Sequence, residues 1–340
     1  MKQWQITDQW DLDSLKLVDA DVPEPGPGDV LLKMKAVSLN FRDYLMVHHK
    51  YGSISGELPL VPLSDGVGEV VALGDGVEDI PIGSRRVPCF NQGWLQGDLE
   101  EPMWTEVLGG PLDGTARQYM CAKAVATAAV PGHVTDEEAA TFCCAAITAW
   151  NALKEMPKSA KDGGIVVTQG TGGVSLFALQ LAKARGARVI ATSSEPEKLE
   201  RLKALGADET LNYRETPDWG KEVLKMTDGQ GADLVVDIGG AATIKQSIRA
   251  VRSNGAIPLI GNVGGSLAEI NLPIVFMFRK RLIGISTGSA ADFTDMFQEL
   301  DKIKFHPVLD DKIYGFDDLK SALQTLPEGK HFGKVVVQVD

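Results

Sequence analysis

The run Ile165-Val166-Val167-Thr168-Gln169-Gly170-Thr171-Gly172-Gly173-Val174-Ser175-Leu176 joins a strand-forming apolar stretch to a glycine cluster and a helix-forming sequence. Gly170 permits a tight turn out of the strand, and Gly172 removes the Cβ that would obstruct a pyrophosphate. A helix opening at Gly173-Val174 aims unpaired N–H groups at those phosphates, and Ser175 is small enough for close helix–strand packing. Glycines at this spacing also occur in ordinary turns. The strand before and the helix after make this one a dinucleotide-binding turn.

The end of the next strand discriminates between dinucleotides. A carboxylate there binds the ribose 2′-hydroxyl of NAD. This chain has Ser193-Ser194, then Lys198 about one helical turn on, and Tyr213 after the third strand. Hydroxyls and an ammonium suit a 2′-phosphate, so the expected cofactor is NADP(H), with Glu195 a contrary charge that must face solvent. Read otherwise, Ser193-Ser194 starts a helix and Lys198 lies on its solvated face.

The elements that must hold these groups follow from periodicity. A chain of 340 residues exceeds the roughly 250–300 at which a single core stops growing, so two domains are expected. Residues 23–28 form a Pro/Gly turn cluster, and strands are predicted over 29–39, 67–73 and 85–90, without a βαβ rhythm. The glycine-rich stretch 91–114 reads as a long surface excursion. Thr135-Asp136-Glu137-Glu138 is a helix start, with an apolar helix running to about residue 156. Strands then alternate with helices, at 164–168, 187–192, 209–212, 233–238, 256–260 and 282–286. Their apolar runs suit a six-stranded, doubly wound parallel sheet in an α/β fold. After Gly288 the rhythm is lost, and a last strand covers 334–339. The expected domains are 131–288 for the dinucleotide and 1–130 with 289–340 for the substrate.

The net charge of −12 argues against nucleic-acid or anionic-membrane partners. No apolar run reaches the roughly 18–20 residues of a membrane span, and the N-terminus lacks a signal-peptide core. Cys89, Cys121, Cys143 and Cys144 suggest no disulfide framework, so a soluble, cytoplasmic protein is expected.

Asn40-Phe41-Arg42-Asp43, Ser64-Asp65-Gly66-Val67-Gly68, Cys144-Ala145-Ala146-Ile147-Thr148-Ala149-Trp150, the glycine turn, Ala204-Leu205-Gly206-Ala207-Asp208, Asn212-Tyr213-Arg214 and Lys330-His331-Phe332-Gly333-Lys334 occur in one order. In that order they resemble the medium-chain dehydrogenase/reductase superfamily over nearly the full length. The zinc-free, quinone oxidoreductase-like branch and NAD(P)-dependent alcohol dehydrogenase-like proteins are the most similar. The resemblance implies a GroES-like β-rich catalytic domain built from both chain ends, beside a Rossmann domain.

It also implies a catalytic zinc position, which in the family takes Cys, His and Cys with a nearby Glu. Here Asn40, Ser64 and Cys144 stand at the ligand positions and Asp65 at the glutamate position. One thiol cannot hold a metal that takes three protein ligands, and Cys89 is alone where a structural zinc would need four cysteines. No metal is therefore expected. Without a Lewis acid, plain alcohol oxidation is disfavoured, whereas an enone, quinone or other activated carbonyl needs orientation and a hydrogen-bond or proton donor.

The resemblance places Asn40 and Tyr51 in the active cleft. Asn40 either donates to the substrate oxygen or positions the nicotinamide; Tyr51, with Tyr44 as alternative, supplies a proton. Arg42 stabilises an enolate or binds a cofactor phosphate. Further cofactor contacts implied are Thr148, Gly239, Gly261-Asn262-Val263 and, from the tail, Phe332-Gly333-Lys334. His48-His49, His133, His306 and the Cys143-Cys144 pair have no ligand or redox spacing. The basic, aromatic run 276–281 leads into the sixth strand, through which family members dimerise, so a homodimer is expected. The leading expectation is an NADPH-dependent enone, quinone or carbonyl reductase. A metal-free alcohol or aldehyde dehydrogenase and a non-catalytic dinucleotide sensor are the alternatives.

Overall fold

The computed structural model describes residues 1–160 and 162–339. They fall into two units, Met1–Ile147 with Thr287–Asp340, and Thr148–Ser286. Strands β1 (Lys2–Ile6), β2 (Leu15–Asp19), β3 (Asp29–Ser38), β4 (Asp65–Leu73), β5 (Arg85–Pro88), β6 (Tyr119–Lys123) and β7 (Thr127–Ala129) lie in the first unit. Strands β8 (Ile165–Gln169), β9 (Arg188–Ser193), β10 (Glu209–Asn212), β11 (Ala232–Val236), β12 (Val251–Leu259) and β13 (Arg281–Gly284) lie in the second. The chain then returns β14 (Leu309–Tyr314) and β15 (Lys334–Gln338) to the first.

The first unit is the GroES-like domain, and β3 is its spine. Its apolar residues Val30, Leu32, Met34 and Val37 are fully buried with Val70, Met120 and Val337. One edge of β3 pairs antiparallel with β4 along its length. The other edge is shared: β6 pairs with Asp29–Lys33, and β15 with Ala36–Ser38. The sheet runs β14-β15-β3-β4-β5-β7. Because Ser38 is opposite both Asp65 and Val336, three strand ends meet at Leu39-Asn40, Ser64-Asp65 and Lys334. A separate hairpin, β1 with β2, was not foreseen from the sequence.

Three expectations differ here. The segment 131–147, expected with the dinucleotide-binding domain, lies in the first unit. Thr135 caps the helix Asp136–Ala139 by accepting from Glu138 N, and buried Ala139 and Ala140 then face β3, β4 and β15. The expected continuous helix is also interrupted, by a π-helical turn at Phe142–Ala146, before resuming at Ile147–Lys154. The stretch 91–114 is no mere surface excursion either, since Asn91, Gln92, Val107 and Leu108 are buried. Its backbone is tied by Asn91 Oδ1, which accepts from Gly93 N and Trp94 N, and by Gln92 Nε2, which donates to Cys89 O.

The second unit is Rossmann-like: six parallel strands in the order β10-β9-β8-β11-β12-β13. The apolar runs of β8, β9 and β11 are buried almost throughout, as crossover helices on both faces require. Helices Gly173–Ala184, Pro196–Ala204, Trp219–Met226 and Ile244–Ala250 connect them. Among the described residues no helix is long and apolar enough to cross a membrane.

Candidate functional site

In the second unit β8 delivers Gln169 to Gly170, whose φ of 76° is a conformation that glycine adopts without strain. Gly172 is different. Its backbone is ordinary (φ −77°), and a Cβ built there would meet no atom of the described residues within 4 Å. Neither conformation nor internal packing requires glycine at this position. It heads the helix Gly173–Ala184 with no side-chain cap, leaving the first-turn N–H groups of Gly173 and Val174 unclaimed by a capping residue. Ser175 is buried and its Oγ donates to Gln169 O (2.6 Å), tying the turn to its strand. This fits a pyrophosphate approached by bare backbone.

The other predicted cofactor residues of this unit divide into two kinds. Ser193 and Ser194 follow β9; Ser193 O accepts from Tyr213 N (3.1 Å), so both lie beside the end of β10. Lys198 is mostly buried on the helix Pro196–Ala204, 3.6 Å from Glu195 Oε2, while Tyr213 is partly exposed. Thr148 is buried and donates to Ser286 O. Gly239 and Gly261, by contrast, have an internal reason. A Cβ would come 2.4 Å from Thr243 Cγ2 at Gly239, and 2.6 Å from Ile238 O at Gly261. Asp237, which sequence reasoning missed, organises this loop: its carboxylate accepts from Gly239 N, Gly240 N, Thr243 Oγ1 and Ser247 Oγ. Asn262 and the exposed Val263 continue from it.

In the first unit the converging strand ends build a buried polar cluster. Asn40 caps the short helix Phe41–Val47, its N–H donating to Asp43 Oδ2 (2.7 Å). Lys334, opposite Asn40 by register, donates from Nζ to Leu39 O (2.8 Å), Asn40 Oδ1 (2.6 Å) and Asp65 Oδ2 (3.1 Å). Asp65 and Ser64 are fully buried, and Ser64 Oγ donates to Asp65 Oδ1 (3.0 Å). Ser38 Oγ lies 3.1 Å from Asp65 Oδ2 and 3.0 Å from Ala140 O. An ammonium has three protons, and all three are engaged. Lys334 therefore serves this cluster with all three of its protons. Phe332 and Gly333 have local roles too: Phe332 is buried and its N–H donates to Asp310 Oδ1, and a Cβ at Gly333 would lie 2.4 Å from Val308 O.

Arg42 is held by carbonyls and rings of the first unit. Its guanidinium donates to Leu108 O (3.0 Å) and Gly110 O (3.3 Å), and lies 4.8 Å from the Phe90 ring centre and 5.5 Å from that of Tyr51. It staples the segment 91–114 to the helix that Asn40 caps. Tyr51 is half-buried, and burial raises its phenol above the usual range against the opposing charge of Arg42, so it holds its proton at neutral pH. Tyr44 packs edge-on to His48, their ring centres 4.5 Å apart. Asp43 is fully buried and desolvation raises its carboxyl to about 6, against the attraction of Arg42.

The residues at the family's zinc position do not fit zinc. Asn40 Oδ1 and Asp65 Oδ2 already accept from an ammonium, Ser64 is a neutral donor to Asp65, and burial followed by Asp65 pushes the Cys144 thiol up to about 12. Among the described residues no group of three or more His, Cys, Asp and Glu is placed to hold a metal.

Comparison with known proteins bears on both units. Residues 26–132 match the alcohol dehydrogenase GroES-like domain family, and residues 173–302 the zinc-binding dehydrogenase family. A zinc-type alcohol dehydrogenase-like protein of Schizosaccharomyces pombe is 40% identical over 96% of each chain. A solved protein of Sinorhizobium meliloti 1021 is 38% identical, with a TM-score of 0.92 over 99% of this chain and 98% of that one. A solved NAD-dependent alcohol dehydrogenase is 33% identical with a TM-score of 0.88 over the whole of both chains. The chain thus belongs to the medium-chain dehydrogenase/reductase superfamily, as an alcohol dehydrogenase-like oxidoreductase of a family that uses a nicotinamide dinucleotide.

Proposed function

We propose that this chain reduces a small enone, quinone or other activated carbonyl with NADPH, without a metal ion. The observation that supports the reading is at the end of β3, where Asn40 stands at a zinc-ligand position of the family and its Oδ1 accepts from Lys334, which leaves Nδ2 as the donor. NADPH, when bound, supplies the hydride. As the hydride reaches the carbonyl carbon, or the β-carbon of an enone, negative charge gathers on the oxygen. Asn40 Nδ2 donates a hydrogen bond to that oxygen, and Tyr51, which holds its proton at neutral pH, gives the proton that completes the product. Preference for the 2′-phosphate rests on Ser193, Ser194, Lys198 and Tyr213 gathered at the ends of β9 and β10.

The test is NADPH oxidation by chelator-treated protein across quinones, enones and aldehydes, repeated with NADH and with Lys198→Ala. The expected result is turnover that chelation leaves intact, and about a tenfold loss for Lys198→Ala confined to NADPH, the scale of one charge-assisted hydrogen bond. Activity that appears only when zinc is added, or equal losses for both cofactors, would overturn the respective half. A second reading, alcohol oxidation with NAD, is favoured by the relatives, a zinc-type alcohol dehydrogenase-like protein and an NAD-dependent alcohol dehydrogenase. The homodimer is also a proposal, supported by β13 being a sheet edge flanked by exposed Phe276, Met277 and Phe278. A monomeric mass by light scattering would remove it.

A further inference from the structure

We infer that Lys334 is a positioning residue that fixes the Asn40 carboxamide with its NH2 group presented as a donor, in the place a metal cation would otherwise fill. The two faces of a carboxamide are chemically opposite, and an isolated asparagine takes either orientation. Here the choice is forced, because an ammonium only donates: the atom 2.6 Å from Lys334 Nζ must be Oδ1. Nδ2 then points the other way, and it is buried without a hydrogen-bond partner among the described residues. A buried amide donor left unsatisfied costs about 1–3 kcal/mol, so its retention asks for an acceptor from outside.

The rest of the cluster holds the device rigid. Asp65 Oδ2 and Leu39 O take the other two ammonium protons, and Asp43 Oδ2 accepts from the Asn40 backbone N–H. Lys334 is only 3% exposed, so its charge is poorly screened and further polarises the Asn40 N–H bonds. Sequence spacing gives no hint of this pairing, since the two residues are 294 positions apart.

The inference rests on the proposed role of Asn40, and a double-mutant cycle separates the two. The activity probe is reduction of 2-cyclohexen-1-one or 1,4-benzoquinone by NADPH. The base variant is Lys334→Met with Asp65→Asn, which removes both charges of the buried pair and so avoids stranding one of them. In the wild-type background it is expected to lower kcat by about 100-fold, the scale of one lost oxyanion donor, with KM for NADPH unchanged. In an Asn40→Ala background the same change is expected to cost less than about threefold, because neighbours acting as a unit are not additive.

If Asn40→Ala keeps the wild-type kcat, the donor reading fails and the inference with it. If Asn40→Ala is impaired but the Lys334 change costs the same in both backgrounds, only the role of Lys334 is overturned. A readout independent of turnover is the side-chain NH2 resonance of Asn40 in asparagine-labelled protein, assigned by its loss in Asn40→Asp. It is expected to shift in the Lys334→Met/Asp65→Asn protein, and an unmoved resonance would overturn the inference even if neither probe is reduced.

Discussion

At the head of the helix Gly173–Ala184 the chain leaves atoms out; at the end of β3 it crowds charged ones together. Gly172 stands against open space, with nothing of the described residues within 4 Å of where a side chain would begin. Lys334, Asp65, Asn40, Ser38, Ser64 and Asp43 fill one buried region, and most of their polar atoms are spoken for. Both arrangements point to a ligand, but by opposite signs. The first is a vacancy that the fold has no use for, and the second is a crowded network in which Asn40 Nδ2 is a donor and Asp43 Oδ1 an acceptor without a hydrogen-bond partner among the described residues. A vacancy can be filled without disturbing the fold, whereas a network cannot lose a member without stranding another.

The largest effect expected from that difference is at Lys334. Lys334→Met leaves Asp65, fully buried, without its cation, and removing one partner of a buried ion pair costs about 3–5 kcal/mol. Denaturant unfolding measures it, and adding Asp65→Asn should restore much of the loss. A single variant that unfolds within about 1 kcal/mol of wild type, the worth of an exposed ion pair, would mean that Asp65 is not held as the geometry describes.

These two regions were not equally legible in the sequence. The glycine turn is contiguous, so its chemistry follows from residues a few positions apart in a strand–turn–helix unit. The polar cluster is assembled by antiparallel register between β3, β4 and β15, which no local pattern carries. Asn40 and Ser64 were visible only as departures from a family's zinc ligands. The resemblance set Lys334 beside the cofactor and gave Arg42 an enolate or a phosphate; it could not carry their partners within the first unit, Asn40 and Asp65 for Lys334 and the carbonyls of Leu108 and Gly110 for Arg42. Glycines misled in a different way. Gly239, Gly261 and Gly333 looked like Gly172, but each is required by a backbone or side chain packed against it.

A somewhat smaller effect is expected at Asp43, and it depends on pH. Its folded-state pKa of about 6 lies above the ordinary value of 3.8, so between those values the folded protein keeps a proton that the unfolded chain gives up. The stability this contributes is fully present below about pH 4 and is lost as pH rises through about 6, by at most about 3 kcal/mol. Asp43→Asn keeps a side-chain acceptor for Asn40 N and removes the titration. Between pH 4 and pH 7 the variant should therefore lose less stability, or gain more, than wild type. Equal pH slopes in the two proteins would show that Asp43 ionises as readily when folded as when unfolded.

The smallest effect tests the vacancy itself, and it is the most diagnostic. Gly172→Ala adds one Cβ at a backbone conformation that alanine adopts freely, with no atom of the described residues to meet it. Stability should fall by less than about 1 kcal/mol, because glycine is the better helix N-cap but alanine loses less chain entropy on folding. Cofactor affinity should weaken about tenfold, or 1.4 kcal/mol, because the methyl intrudes on the pyrophosphate path. Gly261→Ala is the counterpart: its Cβ would stand 2.6 Å from Ile238 O, so the fold must shift, at about 1–3 kcal/mol. Thermal unfolding and cofactor titration of both variants give a two-by-two outcome. Only a Gly172 variant that melts like wild type yet binds weakly identifies a glycine kept for a ligand. If Gly172→Ala binds as tightly as wild type, the open space at the helix head is incidental, and the phosphate reading must rest on the helix amides alone.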